Sequence, residues 1–351
     1  MSYIRKPQII HRGLAHNALG LTVRDYEGGM STLCAGCGHD SVTGALVQAA
    51  FELSIPPHRM AKLSGIGCSS KTPAYFLRQS HGFNSVHGRM PSVATGASAV
   101  NGDLYYVGVS GDGDSLSIGL GQFMHAVRRN VNMLYVIENN GVYGLTKGQF
   151  SASADIGSRA KKGEENVQPP IDPCQTVIAQ GGSFVARSFS GDRTQLVPLI
   201  KAGIAHRGFA LIDVVSPCVT FNDHEGSTKS YRFTREHYHP TINADFVPPS
   251  EEILADYEEG AAIPVILHDG STIVLRKADE DYDPTNRAAA LARLQQAQEA
   301  SEIMTGVLYI DESKPDMHAV NQQTDTPLLD LDYQRLCPGN KGLAALQDRF
   351  R

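Results

Sequence analysis

The stretch that decides the fold is 104–114, LYYVGVSGDGD, in which an apolar run passes directly into Gly111-Asp112-Gly113-Asp114. A short apolar run bounded by turn residues, rich in Val and Tyr, is the pattern of a strand buried on both faces. Residues 118–129 then show helical periodicity, and 132–138 (NMLYVIE) form a second apolar strand that ends at Asn139-Asn140-Gly141. Strand, Gly-rich turn, helix and strand make a βαβ unit. Such a unit requires parallel strands, with ligands expected beyond their carboxyl ends.

The same alternation continues on both sides. Upstream, Ala45, Leu46, Ala49, Ala50 and Leu53 share one face of a helix expected over 43–53, and a short strand over 60–63 ends in Gly65-Ile66-Gly67. The small residues Ala94-Thr95-Gly96-Ala97 predict a tightly packed helix. Downstream come a strand over 183–187, a helix over 194–206 and a strand over 209–215. The fold class expected is therefore α/β, a mostly parallel sheet with helices on both faces, plus a C-terminal extension.

Three regions are expected: an N-terminal arm over 1–30, punctuated by Gly13, Gly20, Gly28 and Gly29; an α/β domain over 31–247; and a C-terminal extension over 248–351 that packs on the core or on a partner. Residues 146–173 form a long Gly-, Ser-, Lys- and Pro-rich loop, a length usually tied to function or mobility. In the extension, 263–276 predicts a hairpin turning at His268-Asp269-Gly270, and 284–301 a helix. The residues beyond Tyr309 are expected to wrap over a neighbour.

With 351 residues the chain can hold one large α/β domain or two modest ones. A net charge of −6 and a pI of about 6.1 argue against a general nucleic-acid binder. Residues 1–13 contain no apolar core, so they do not read as a secretory signal. No later run approaches the roughly 18 apolar residues of a membrane helix. The expected address is the cytoplasm, where the six cysteines, Cys34, Cys37, Cys68, Cys174, Cys218 and Cys337, point to metal or cluster ligation before disulfides.

The Gly-Asp-Gly turn and the Asn pair carry the first chemistry. A bound diphosphate needs a divalent metal, backbone N–H groups and a helix N-terminus around it. Gly111 and Gly113 let the backbone approach phosphate, Asp112 offers a hard oxygen ligand, and Asn140 at the next strand end could reach the same ion. Mg²⁺ suits such a sparse oxygen set completed by phosphate oxygens.

The cysteines carry the second. Cys34-Ala-Gly-Cys37 is a CxxC motif, while Cys68 lies in GIGCSSK and Cys218 in SPCVTFND. Spacing alone leaves zinc, an iron–sulfur cluster and a redox dithiol open. Cys174 and Cys337 have no such context and are taken as an ordinary buried or surface thiol. Arg128-Arg129, at a helix C-terminus, are taken as structural.

Taken in order, CAGCGH, GIGCSSK, HGRMPSVATGASAV, GDGDSLSIG, NNGVYGLTKGQ and SPCVTFND resemble the β subunits of 2-oxoacid:ferredoxin oxidoreductases over about residues 30–230. GDG followed by NN is itself similar to the thiamine diphosphate fingerprint. The resemblance implies a thiamine-diphosphate-binding fold with Mg²⁺ held by Asp112, Asn140 and the carbonyl of Val142. It places Gly67, Ser69, His87, Gly111, Gly113, Asp114, Tyr143, Gly144, Leu145 and Thr146 around the cofactor with them. Cys34, Cys37, Cys68 and Cys218 are implied to hold one [4Fe–4S] cluster.

The resemblance further implies catalytic or substrate roles for Lys71, His87, Arg89 and Leu145, with Lys71 meeting a substrate carboxylate. It implies an α (or fused γα) partner subunit that completes the active site, and an assembly of (αβ)₂ type. Coenzyme A is the co-substrate and ferredoxin the electron acceptor, with Lys161-Lys162 as a candidate contact for it. No nucleic acid and no membrane is expected as a partner. The C-terminal segments are most similar to subunits acting on 2-oxoglutarate. Pyruvate, a branched-chain 2-oxoacid, a non-redox thiamine-dependent decarboxylase and a zinc-stabilised scaffold are the alternatives.

Overall fold

The computed structural model of the chain describes residues 13–158, 163–222, 227–240, 262–266, 272–276, 282–337 and 339–351. In chain order its strands begin with β1 (Met60–Ser64), β2 (His81–Asn84), β3 (Tyr105–Gly111) and β4 (Met133–Asn139). A two-residue pair follows, β5 (Val142–Tyr143) with β6 (Gln149–Phe150). Then come β7 (Phe184–Phe189), β8 (Phe209–Val215), β9 (Tyr238–Pro240), the hairpin β10 (Ala262–Ile266) and β11 (Thr272–Arg276), and β12 (Ile303–Ile310). The helices that frame them are α1 (Gly38–Glu52), α2 (Met90–Val100), α3 (Leu120–Arg129), α4 (Pro173–Ala179), α5 (Arg193–Ala205), α6 (Tyr231–Glu236) and α7 (Arg287–Glu299).

Among the described residues, eight strands form the main sheet in the order β2-β1-β3-β4-β8-β7-β12-β9. The first six pair in parallel, β12 adds antiparallel to β7, and β9 runs parallel to β12. Both faces are covered. Along β3 and β4, Tyr106, Tyr135 and Ile137 enter one core with α2, α3, α4 and α7. Their neighbours Val107, Val109, Leu134 and Val136 enter the other with α1 and α5. This period-two division between two dry faces is why these strands read as unbroken apolar runs. Phe123, Tyr135 and Phe209 stack in one core with centroids 5.0 to 5.8 Å apart, a spacing that adds directional attraction to burial.

Chain order places the functional end. From β1 the chain moves outward to β2, then returns past β1 to β3, so the winding reverses between β1 and β3. Their carboxyl ends open a crevice at that reversal, the usual ligand position in a parallel α/β sheet.

Several elements depart from sequence expectation for identifiable reasons. The helix expected from residue 43 starts at Gly38, directly after Cys37. A Cβ at Gly38 would lie 2.6 Å from the hydroxyls of both Ser190 and Ser216, so glycine lets this helix begin against two strand ends. The helix expected over 118–129 starts at Leu120, because Gly113–Ile118 forms a wide π turn closed by Gly119 N–H to the Asp114 carbonyl at 2.9 Å. The expected arm is anchored from Tyr26, which is fully buried, with Glu27 bridging to Phe76.

In the C-terminal region β12 is part of the main sheet, and Leu294 and Ala297 of α7 share a core with Phe123. The expected hairpin is present as β10 and β11. Its turn at His268-Asp269-Gly270, the Lys161-Lys162 pair and residues 1–12 lie outside the described residues. No described helix is long and apolar enough to cross a membrane.

Candidate functional site

The loops that leave β1, β3 and β4 meet in one pocket of about 100 Å³. Every residue expected at the cofactor lines it: Gly67 and Ser69 after β1, His87, then Gly111 to Asp114 after β3, then Asn140 and Tyr143 to Thr146 after β4. Cys68 and Val142 share the wall. Of the four residues given catalytic or substrate roles, His87 and Leu145 are in the lining, whereas Lys71 and Arg89 are not. The Arg89 guanidinium turns instead to the Gln122 side chain, 3.2 Å away on α3.

Asp112 sits at the floor, 1% exposed. Its Oδ1 accepts the Asn140 backbone N–H at 3.4 Å, and its Oδ2 accepts the Ser153 hydroxyl at 2.6 Å and the Ser151 hydroxyl. Burial pushes this carboxyl above its ordinary value, and the two serines partly counter the push. A divalent cation would supply the missing counter-charge. Asn140 Oδ1 accepts the Val142 N–H at 3.1 Å, which turns the chain after β4 back along the pocket. Gly113 has no room for a side chain, since a Cβ would lie 2.6 Å from the Tyr143 ring. The Tyr143 hydroxyl donates to the Gly113 carbonyl at 2.9 Å.

Asp114 plays a different part from Asp112. Its Oδ1 accepts from Gly88 N–H at 2.8 Å and Ile66 N–H at 3.3 Å and pairs with His87 Nδ1, and its Oδ2 accepts from the Ser110 hydroxyl at 2.6 Å. One carboxylate therefore ties together the loop after β1, the 87–88 turn and the end of β3. A Cβ at Gly65 would come within 1.9 Å of Oδ2, so only glycine admits this approach.

The cysteines converge from three loops. Cys37 is the N-cap residue of α1, and Cys68 precedes the 3-10 turn Ser69–Ala74. Electrostatically, Cys68 feels both Cys34 and Cys218, and Cys37 feels Cys218. A Cβ at Gly144 would lie 3.5 Å from Cys68 Sγ and 3.9 Å from Cys218 Sγ. The Thr220 hydroxyl donates to Cys34 Sγ at 3.8 Å. Burial pushes the Cys37 thiol up to about 12 and raises Cys68. Among the described residues no three His, Cys, Asp or Glu side chains close tightly enough to hold one metal ion. Cys174, by contrast, is fully buried beside Asp213 and Ala186, and Cys337 is exposed.

Sequence alone missed the supports beneath this site. His39 is fully buried, with Nδ1 2.7 Å from the Ser216 hydroxyl and Nε2 within 3.4 Å of Ser69 and Asn140. Burial lowers its pKa to about 4. Glu138 is also fully buried and accepts the Thr72 hydroxyl at 2.9 Å, with desolvation holding its carboxyl well above the ordinary range. Asn139, the first of the Asn pair, faces away from the pocket and donates to Asp213 at 3.0 Å. The one available signal was the density of hydroxyl residues near the motifs.

Known proteins fit this geometry. Residues 65–214 match the model for the thiamine pyrophosphate enzyme, C-terminal TPP binding domain. Residues 274–325 match the model for the C-terminal part of pyruvate ferredoxin oxidoreductase β chains. The chain is 43% identical over 191 residues to a 2-oxoacid:ferredoxin oxidoreductase subunit beta from Sulfolobus, covering 54% of this chain and 63% of that one. It is 39% identical to the 2-oxoglutarate synthase subunit KorB of Methanocaldococcus jannaschii, over 54% of this chain and 69% of the relative. The aligned region thus spans just under two thirds of the Sulfolobus relative. A solved 2-oxoglutarate:ferredoxin oxidoreductase from Magnetococcus marinus, with 2-oxoglutarate, coenzyme A and succinyl-CoA bound, superposes with a TM-score of 0.70 at 29% identity. That match covers 90% of this chain and 94% of the other. These matches in sequence and in fold place the chain in the family of 2-oxoacid:ferredoxin oxidoreductase β subunits.

Proposed function

We propose that this chain is the thiamine-diphosphate-binding and cluster-carrying subunit of an enzyme that converts a 2-oxoacid and coenzyme A to acyl-CoA and CO₂. Ferredoxin is the electron acceptor, and the direction is reversible in principle. The observation that carries this reading is the single pocket in which the Gly-Asp-Gly turn, Asn140 and Cys68 share one wall. A non-redox decarboxylase would leave the convergence of Cys34, Cys37, Cys68 and Cys218 without a role.

The donor set fits thiamine diphosphate with Mg²⁺. Asp112 and Asn140 are side by side, buried, and short of a cation, and Val142 lies next to them. Gly111, Gly113, Gly144 and Thr146 offer close backbone to a diphosphate, with Gly67, Ser69, His87, Tyr143 and Leu145 around them. The donor set also fits a [4Fe–4S] cluster. In such a cluster each thiolate binds a different iron, so the sulfurs stand further apart than around one ion. The Ser70 hydroxyl, buried beside this region without a hydrogen-bond partner among the described residues, is consistent with a polar group seated nearby.

When bound, the two cofactors supply an electron sink for decarboxylation and a carrier that removes electrons one at a time. The chain's own residues do the rest. Asp112 holds charge against the metal, Asp114 fixes the pocket loops, and Gly144 lets the pocket wall pass close to two cluster sulfurs. A partner of the α type completes the site, so the isolated chain is expected to be inactive. The complex is a heterodimer or an (αβ)₂ assembly in the cytoplasm.

The substrate we assign is 2-oxoglutarate, giving succinyl-CoA. Its support is the relative named 2-oxoglutarate synthase and the 2-oxoglutarate and succinyl-CoA in the Magnetococcus marinus structure. Pyruvate and branched-chain 2-oxoacids are the competing assignments. Reductive bleaching of the complex by a panel of 2-oxoacids, with and without coenzyme A, tests the proposal. The largest kcat/KM is expected with 2-oxoglutarate, and a preference for pyruvate would overturn the assignment.

A further inference from the structure

We propose that Asp114 and His87 form a proton-handling pair, in which Asp114 is a positioning residue and His87 is the catalytic residue that faces the pocket. The inference deepens the proposed function and rests on the pocket being the site of reaction.

The geometry sets the direction of each hydrogen bond. Asp114 Oδ1 accepts from two backbone N–H groups, those of Gly88 at 2.8 Å and Ile66 at 3.3 Å. Neither nitrogen can act other than as a donor, so Oδ1 is an acceptor at this position. His87 Nδ1 meets the same oxygen and must therefore carry its proton toward Asp114. A neutral imidazole protonated on Nδ1 has a lone pair on Nε2. His87 lines the pocket, its side chain is 33% exposed, and its ring packs edge to face against Tyr143 at 6.1 Å. The ring is thus held at both sides while the distal nitrogen has no partner among the described residues.

An imidazole so held can take a proton from a donor group on the pocket's occupant. The Nε2–H bond forms as the donor's own bond to hydrogen breaks, and the imidazolium charge is balanced by Asp114 at the other nitrogen. Return of the proton restores the starting state. Asp114 acts through the ring rather than on the occupant, because both of its oxygens are committed to loop N–H groups, Ser110 and His87. Its 2% exposure fits that indirect role.

Two measurements test the pair. In the chain labelled with ¹⁵N-histidine at pH 8, the His87 signals, assigned by their loss in His87→Gln, are expected to show protonated Nδ1 and unprotonated Nε2. A proton on Nε2 at that pH overturns the pair. In the complex with its partner subunit, His87→Asn keeps an N–H that can reach Asp114 but removes the distal nitrogen. Its melting temperature is expected to match the parent, while kcat at saturating thiamine diphosphate falls by about 10²- to 10⁴-fold, the usual size of a general acid–base contribution. A kcat within about threefold of the parent, with cofactor bound normally, would sink the pair and leave the proposed function intact. Failure of the parent complex to bind thiamine diphosphate would remove both.

Discussion

Ser153 and Asp112 meet at 2.6 Å, hydroxyl to carboxylate, across 41 residues of chain. The same hydroxyl oxygen lies 2.9 Å from Asn139 Oδ1, and Asn139 in turn holds Asp213 on β8. The long loop after β6 thus reaches back under the pocket and fixes the carboxylate proposed to bind the metal.

Ser153→Ala tests that support. Groups that orient a metal ligand typically account for about 10- to 100-fold in metal affinity. Removal of this hydroxyl is expected to weaken Mg²⁺-dependent thiamine diphosphate binding by that amount, read by calorimetric titration. Unchanged affinity would show that Ser151 alone suffices to orient Asp112.

Gly65→Ala tests the knot made by Asp114. The added methyl would stand 1.9 Å from Asp114 Oδ2, so the carboxylate must leave at least part of its four-donor set. Each lost buried hydrogen bond to a charged group costs about 1.5–3 kcal/mol. A clear drop in melting temperature and loss of cofactor binding are expected. A variant with parental stability would mean that the loop after β1 shifts freely.

Arg187 joins Asp213 and Asp172, each at 2.8 Å, in a part of the core where Asp213 is 1% exposed. Arg187→Met leaves the buried Asp213 without its cation and is expected to cost about 3–5 kcal/mol in urea unfolding. The double variant Arg187→Met, Asp213→Asn should recover part of that loss. No recovery would assign the damage to packing.

His206 sets an acid limit on stability. Burial lowers its pKa from 6.5 to about 4, with its Nε2 2.8 Å from the Ser183 hydroxyl. The unfolded chain therefore binds this proton first as pH falls, and the unfolding free energy declines between pH 6.5 and about 4. His206→Gln should flatten this part of a melting-temperature profile. An unaltered slope in the variant would place the acid sensitivity elsewhere, with His39 the next group to examine.

Local spacing carried most of what was legible in the sequence. The apolar runs of β3, β4 and β8 announce strands buried on both faces, and the GDG turn and NN pair end adjacent strands. That is why the residues expected at the cofactor fall in one pocket. What stayed hidden depends on long-range partners. Ser151 and Ser153 reach Asp112 across 39 and 41 residues, and Thr72 reaches Glu138 across 66. Nothing near Arg89 in the sequence says that it turns to Gln122. The helix at Gly38 starts ahead of its apolar periodicity, since its first turn is placed by contact with Ser190 and Ser216.

The most direct test is chemical analysis of the chain purified anaerobically with its partner subunit. About four irons and about four sulfides per chain are expected in one cluster, with thiamine diphosphate bound, and loss of the cluster in Cys218→Ser. Stoichiometric zinc in place of iron, with no thiamine diphosphate retained, would contradict the proposed function.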